Sequence, residues 1–263
     1  MAGRRRSTSA ASGEQQIVFA HSFRRKREGF PLSGDPFLLY PASVVYQWGR
    51  KDAFPGADGS TITATTIEEN NAQTILIYDA TGNKLTEGST GVKLVDITTS
   101  GVLNENTSQV YAIKKPLVFI YSTDEPRDWY TNTQAYQNNA LWGEGTKKSI
   151  YDPCPQKWRV PADGTWSDFS NLTAPYYIQS VQTNTGPYHA TNGRMYARLS
   201  WYGASAFRRT DCGEHSYVGR NGSFWSATAI QQDASGLSFN MNNVNVTVAN
   251  YRATGFPVRC VQE

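Results

Sequence analysis

Apolar and polar positions alternate along this chain in short runs that Gly, Pro, Asn and Asp interrupt. This pattern predicts strands joined by turns, and no heptad or long helical stripe competes with it. Residues 44–48, 74–79 and 116–121 read as strands, and residues 79–84, with Gly82 and Asn83, read as a hairpin connection. Beyond residue 190, strand-like runs occupy 195–202, 223–228, 236–240 and 255–261. Residues 122–147 are polar and aromatic around Trp129 and Trp142 and read as a long loop. The best helix candidate begins at Asp163, where Asp163 and Thr165 offer capping side chains ahead of Trp166 and Phe169 at i, i+3. No fixed-period repeat is visible.

Residues 221–251 break the usual composition of a strand region. Asn221, Asn240, Asn242, Asn243, Asn245 and Asn250 are interleaved with Trp225, Leu237, Phe239, Val244, Val246 and Val248. Asn is depleted in strands. The two readings are an Asn-rich turn region and a strand scaffold that carries adaptable hydrogen-bonding side chains on one face. The regular apolar positions favour the second. Trp225, Phe239, Phe256 and Val258 are then assigned to the core side. Phe224, Asn242, Asn245, Asn250 and Tyr251 are assigned to the exposed side, because burying so many amides without partners is prohibitive.

Composition narrows the function classes. The chain has 263 residues, enough to bury a core without staples. Aromatic residues make up 13%, with 15 Tyr and 7 Trp. These are the types that give rigid contact area at binding surfaces. The net charge is +3, yet residues 1–28 hold seven Lys/Arg against Glu14 and Glu28. The basic excess therefore belongs to the start of the chain and not to a folded face, which argues against a nucleic-acid partner. No apolar run approaches the roughly 18 residues of a membrane span, and Ile17-Val18-Phe19-Ala20 is too short for a signal-peptide core.

Candidate chemistry is sparse. Cys212 and His215 lie close in sequence, but zinc needs about four ligands, and His21 and His189 have no ligand-like neighbours. A Cys212/His215 nucleophile pair is outweighed by a polar loop. Asp124, Glu125 and Asp128 read as solvated loop charges. Gly143-Glu144-Gly145 lacks the remainder of a phosphate-binding loop. No metal, cofactor or catalytic residue is expected.

Several stretches carry a resemblance when taken together. They are Tyr46-Gln47-Trp48-Gly49-Arg50-Lys51-Asp52, Leu141-Trp142-Gly143, Tyr151-Asp152-Pro153-Cys154-Pro155 with Trp158-Arg159-Val160-Pro161, and Phe224-Trp225-Ser226-Ala227-Thr228 with Gly255-Phe256-Pro257-Val258-Arg259-Cys260-Val261. In this order they resemble the Fibrobacter succinogenes major paralogous domain of fimbrillin-like surface proteins. The resemblance runs from about residue 44 to the end. It implies an α+β, C-type-lectin-like fold, similar to that of formylglycine-generating enzymes, strand- and loop-rich with one or two short helices. It also implies a division into a basic irregular segment at 1–40 and a ligand-binding domain at 41–263 with a long insertion at about 60–147. The placing of Cys154 and Cys260, each within a family-like stretch, implies a disulfide between them.

Residues 219–261 also resemble the variable region of proteins diversified by retroelements. The positions this implies as a variable ligand-binding face are Ser223, Phe224, Ile230, Gln231, Asp233, Ser235, Asn240, Asn242, Asn243, Asn245, Thr247, Asn250 and Tyr251. The expected function is a non-enzymatic adhesin or receptor-binding protein of the pilus-tip or phage-tail type. Its partner would be a protein or glycan receptor, and its location a cell or virion surface. The chain departs from calcium-dependent lectins in lacking Glu-Pro-Asn, Gln-Pro-Asp and Trp-Asn-Asp. The alternatives are an oxidase of the formylglycine-generating type, which needs two neighbouring thiols, and a structural pilin subunit.

Overall fold

A computed structural model describes residues 44–57, 74–78, 81–85, 92–144, 147–189, 191–205 and 207–263. The expected segment at 1–40 and the first part of the expected insertion lie outside these residues. In chain order, β1 is Tyr46–Gln47, β2 Lys93–Asp96, α1 Gln109–Lys114 and β3 Val118–Tyr121. Then come β4 Tyr176–Ile178, β5 Gly193–Tyr196, β6 Ser200–Gly203, β7 Phe207–Arg208 and β8 His215–Ser216. The C-terminal strands are β9 Gly222–Ile230, β10 Asp233–Phe239, β11 Val244–Asn250 and β12 Gly255–Phe256.

The protein is strand- and loop-rich, with one short α-helix among the described residues. One sheet has the order β1-β12-β7-β8, which brings the start of the described chain against its end. A second contains β4-β5-β6, and a third is the antiparallel meander β9-β10-β11. β2 and β3 pair in parallel. A parallel pair needs a crossover connection, and α1 lies within it. This helix buries only Ala112 and leaves Val110 and Ile113 exposed, so its sequence carries no amphipathic stripe.

Two sequence expectations are corrected. The helix expected from Asp163 is a run of turns, with Thr165, Ser167 and Phe169 N–H groups bonding to the carbonyls of Ala162, Gly164 and Trp166. Trp166 and Phe169 are nevertheless buried. The run 195–202 is not one strand but the hairpin β5–β6, with Ala197 and Arg198 at φ of 50° and 58° in the turn. Neither residue carries the Gly or Asn signal that marks such a turn.

Two large apolar clusters flank the meander. One contains Trp48, Trp129, Trp142, Ile120, Trp225 and Phe256. The other contains Phe169, Tyr202, Phe224, Leu237 and Phe239. Consecutive residues Phe224 and Trp225 thus enter different cores, because β9 is covered on both faces. Gly222 pairs with Phe239 across the strands, and a Cβ there would lie 2.2 Å from the Phe239 ring. The ring occupies the space that a side chain would take.

The stretches that carried the resemblance converge. The Trp48 and Trp142 rings lie 5.6 Å apart, and those of Trp225 and Phe256 4.4 Å. Each of these buried indoles donates to a carbonyl: Trp48 to Ser226, Trp142 to Arg50 and Trp225 to Tyr46. Gln47 donates to the carbonyls of Ile120 and Ala253. Trp158–Arg159 pairs with Val261–Gln262, and beside this pair a disulfide joins Cys154 to Cys260.

Candidate functional site

β11 forms because Val244, Val246 and Val248 alternate with Asn245, Thr247 and Ala249, a period-2 pattern of β-branched and small residues. The valines are half-buried, with Val244 and Val246 packed on the second core. Asn243, Asn245, Thr247 and Ala249 are exposed. Among the described residues β11 pairs with β10 alone, so it is an edge strand. Two of its amides bond back to its own backbone. Asn245 Oδ1 accepts from the Thr247 N–H at 3.2 Å, and Asn250 Nδ2 donates to the Val248 carbonyl at 3.2 Å. Such local bonds satisfy edge groups that would otherwise recruit another strand.

A buried arginine holds each end of the meander. At the β10–β11 turn, Arg194 donates to the Asn240 carbonyl at 2.7 Å, the Met241 carbonyl at 3.1 Å and the Ala174 carbonyl at 2.7 Å. At the β9–β10 turn, Arg252 donates to the carbonyls of Gln231 at 3.1 Å and Asp233 at 3.2 Å. Every one of these acceptors is a main-chain oxygen. The grip therefore does not depend on which side chains the turns carry.

Beyond the β9–β10 turn, Tyr251 lies under the Arg127 guanidinium at 4.6 Å, and Gln232 donates to Glu125 at 3.1 Å. Asn250 pairs with Ala234, next to Asp233. Burial, followed by the charge of Glu125, pushes the Asp233 carboxyl above the usual range. At this end an open cleft of about 230 Å³ is lined by Asn250 and Tyr251 together with Arg209, Thr210 and Asp211. Its apolar lining comes from Phe207 and Phe256.

The structure divides the sequence-derived face. Gln231, Asn242, Asn243, Asn245 and Thr247 are exposed, and Ile230, Asp233, Asn240, Asn250 and Tyr251 are half-buried. Asn240 serves the turn, its Oδ1 accepting from the N–H groups of Asn242 and Asn243 at 2.9 Å each. Ser223, Phe224 and Ser235 are corrections, at 3%, 7% and 0% exposure. Alternation alone placed Phe224 outside, but a sheet covered on both faces has no outside at β9 and β10. The cleft residues Arg209, Thr210 and Asp211 were missed, since they sit in a loop remote in sequence whose charges read as ordinary.

Asp128 is a further correction. It is 1% exposed, accepts from the Tyr130 N–H and from Gln137 at 2.9 Å each, and faces Arg252 at 3.9 Å. Cys212 is half-buried, and burial raises its thiol pKa. His215 is buried in β8 with Nε2 unpartnered. Among the described residues, no three His, Cys, Asp or Glu side chains converge as a metal site would require. Nor is any helix there long and apolar enough to cross a membrane.

No protein-family model, curated protein or solved structure matches this chain.

Proposed function

We propose that this chain is a non-enzymatic binding protein whose β11 strand and flanking turns form a diversifiable recognition face on a C-type-lectin-like scaffold. The observation that carries this reading is the anchoring of both ends of the meander by Arg194 and Arg252 through hydrogen bonds to its main-chain oxygens. A frame held in that way keeps its shape while the side chains at 231, 242, 243, 245 and 247 change. The convergence of the family-like stretches on one core supports the scaffold part of the proposal. The partner is a protein or glycan receptor at a cell surface, and the protein acts there or on a virion, as an adhesin or tail-type receptor-binding protein. With Cys154 and Cys260 joined, one thiol is left for an oxidase that calls for two, which favours binding over that alternative.

The test is a screen of the purified chain against cell surfaces and immobilised glycans. Saturable binding that falls on substitution of Asn243, Asn245 or Thr247 is the expected result. Binding indifferent to all three substitutions overturns the proposal.

A further inference from the structure

The two most exposed large apolar side chains among the described residues lie on turns that are bonded to each other. Leu172, 89% exposed, sits in the turn ahead of β4, and Leu199, 87% exposed, sits in the β5–β6 turn. The Ala197 N–H donates to the Thr173 carbonyl at 2.9 Å and joins the two turns through their backbones. The first turn is also tied to the candidate face, since Asn171 Nδ2 donates to the Asn242 carbonyl at 2.9 Å. Both leucine-bearing turns therefore continue that face past the β10–β11 turn. A single exposed leucine is ordinary. Two on adjoining turns, next to a proposed recognition face, leave apolar area open to water where a partner could cover it.

The β5–β6 turn is held in an uncommon shape. Ala197 and Arg198 take φ of 50° and 58°, in the left-handed region that favours Gly and Asn. Non-glycine residues stay there only where the surroundings hold them, and such positions cluster at binding sites. Below the turn the Tyr196 hydroxyl donates to the Asp168 carboxylate at 2.7 Å, and the Tyr196 ring stacks on Phe169 at 5.3 Å. A turn fixed in this way loses little freedom when a partner binds. Arg198 is exposed and has no ion-pair partner among the described residues. On the face itself, the exposed Asn242, Asn243, Asn245 and Thr247 supply amides and a hydroxyl but no large apolar side chain. A protein–protein interface combines an apolar centre with a polar rim, and Arg is among its commonest anchors. We infer that Leu172, Arg198 and Leu199 complete the recognition face, and that its partner is a protein which seats the two leucines in an apolar depression and meets Arg198 with a carboxylate. This rests on the recognition reading above and narrows its partner class. A leucine side chain has no donor or acceptor to offer the hydroxyls of a glycan, so these anchors favour a protein surface. None of the three belongs to the candidate variable positions, so the apolar anchor stays fixed while the amides beside it change.

Flow cytometry of the intact chain on the cells that capture it tests this, with the cells pretreated with protease, with periodate or not at all. Binding is expected to be lost after protease and kept after periodate, which oxidises sugars. Leu172→Ser/Leu199→Ser and Arg198→Glu are each expected to weaken binding roughly tenfold or more, as for loss of a main anchor. Ile113→Ser, which removes an exposed apolar side chain from α1, is expected to stay within about twofold. Circular dichroism confirms folding, and Leu199→Ser alone stands in if the double variant fails to fold. Binding that survives protease or disappears after periodate overturns the inference. Unchanged affinity in the folded leucine and arginine variants does so too, as does an equal loss in Ile113→Ser. The same samples separate the two claims. Binding that needs Asn243, Asn245 and Thr247 but not Leu172, Arg198 or Leu199 sinks the anchor and leaves the face standing. Binding that needs the anchor residues but is indifferent to Asn243, Asn245 and Thr247 sinks the face instead. A chain that no cell surface captures overturns both.

Discussion

The Arg252 guanidinium lies 4.7 Å from the centre of the Trp48 ring and 3.9 Å from the Asp128 carboxylate, with all three side chains essentially unexposed. The contact ties the first described strand region to the residue that follows Tyr251. Burial pushes the Asp128 carboxyl above the usual range even though Arg252 acts against the shift.

Arg252→Met is accordingly expected to destabilise by about 3–5 kcal/mol, because it leaves a buried carboxylate unpaired. Adding Asp128→Asn should recover part of that loss, since the two residues share one interaction. Urea unfolding of the two single variants and the double variant measures the coupling. Strictly additive losses would show that the pair does not act as a unit.

Frame and face respond differently to truncation. Trp225→Ala and Phe224→Ala should each cost about 3–5 kcal/mol through cavity formation, since both rings are buried, in different cores. Asn243→Ala and Thr247→Ala should each change stability by about 0.5 kcal/mol or less, as exposed positions do. Thermal melts of the four variants check the ranking.

Where one side of a strand faces water, the sequence was readable. The alternation of Val244 to Ala249 marked exposed and frame positions correctly, because β11 has one open face, but Asn250 and Tyr251, expected on the exposed side, are half-buried, Asn250 on the side of the valines. The same rule failed for Phe224, where a second core covers the sheet, and the resemblance that offered Ser223 and Ser235 as face positions carried no information on their burial. Alternation cannot reveal what packs on the far side. α1 left no signal because it is six residues long and buries one. The cleft escaped because Arg209 and Asp211 meet Asn250 and Tyr251 only through tertiary folding. Asp128 looked like a solvated loop charge because its partner, Arg252, is 124 positions away in the sequence.

The Cys154–Cys260 bridge spans a sequence separation of 106. Loop-closure entropy for that length gives a stabilisation of about 4–5 kcal/mol. Reduction, or a Cys154→Ser/Cys260→Ser variant, should lower the urea midpoint correspondingly. An unchanged midpoint after complete reduction contradicts the estimate.

His215 gives the protein an acid sensitivity. Its pKa lies well below the ordinary 6.5, first because of burial and then because of the Arg208 charge. A depressed pKa means that the unfolded chain takes up this proton before the folded one does. The His215 contribution is thus fully present above pH 6.5 and is lost progressively as pH falls toward the lowered folded value. The raised Asp128 and Asp233 carboxyls act in the opposite direction. The informative quantity is therefore the difference between wild type and His215→Gln, which should shrink as pH is lowered from 7 toward 5 if the variant removes this proton uptake. A difference independent of pH over that range excludes His215 as the source.

The most direct test of the central claim pairs melting temperature with cell-surface binding for a triple variant, Asn243→Ala/Asn245→Ala/Thr247→Ala. If β11 is a recognition face on a frame held elsewhere, the melting temperature should move by no more than about 5 °C, while binding to the surface that captures the wild type weakens roughly tenfold or more. A variant that unfolds, or one that stays folded and binds as well as the wild type, would contradict the account.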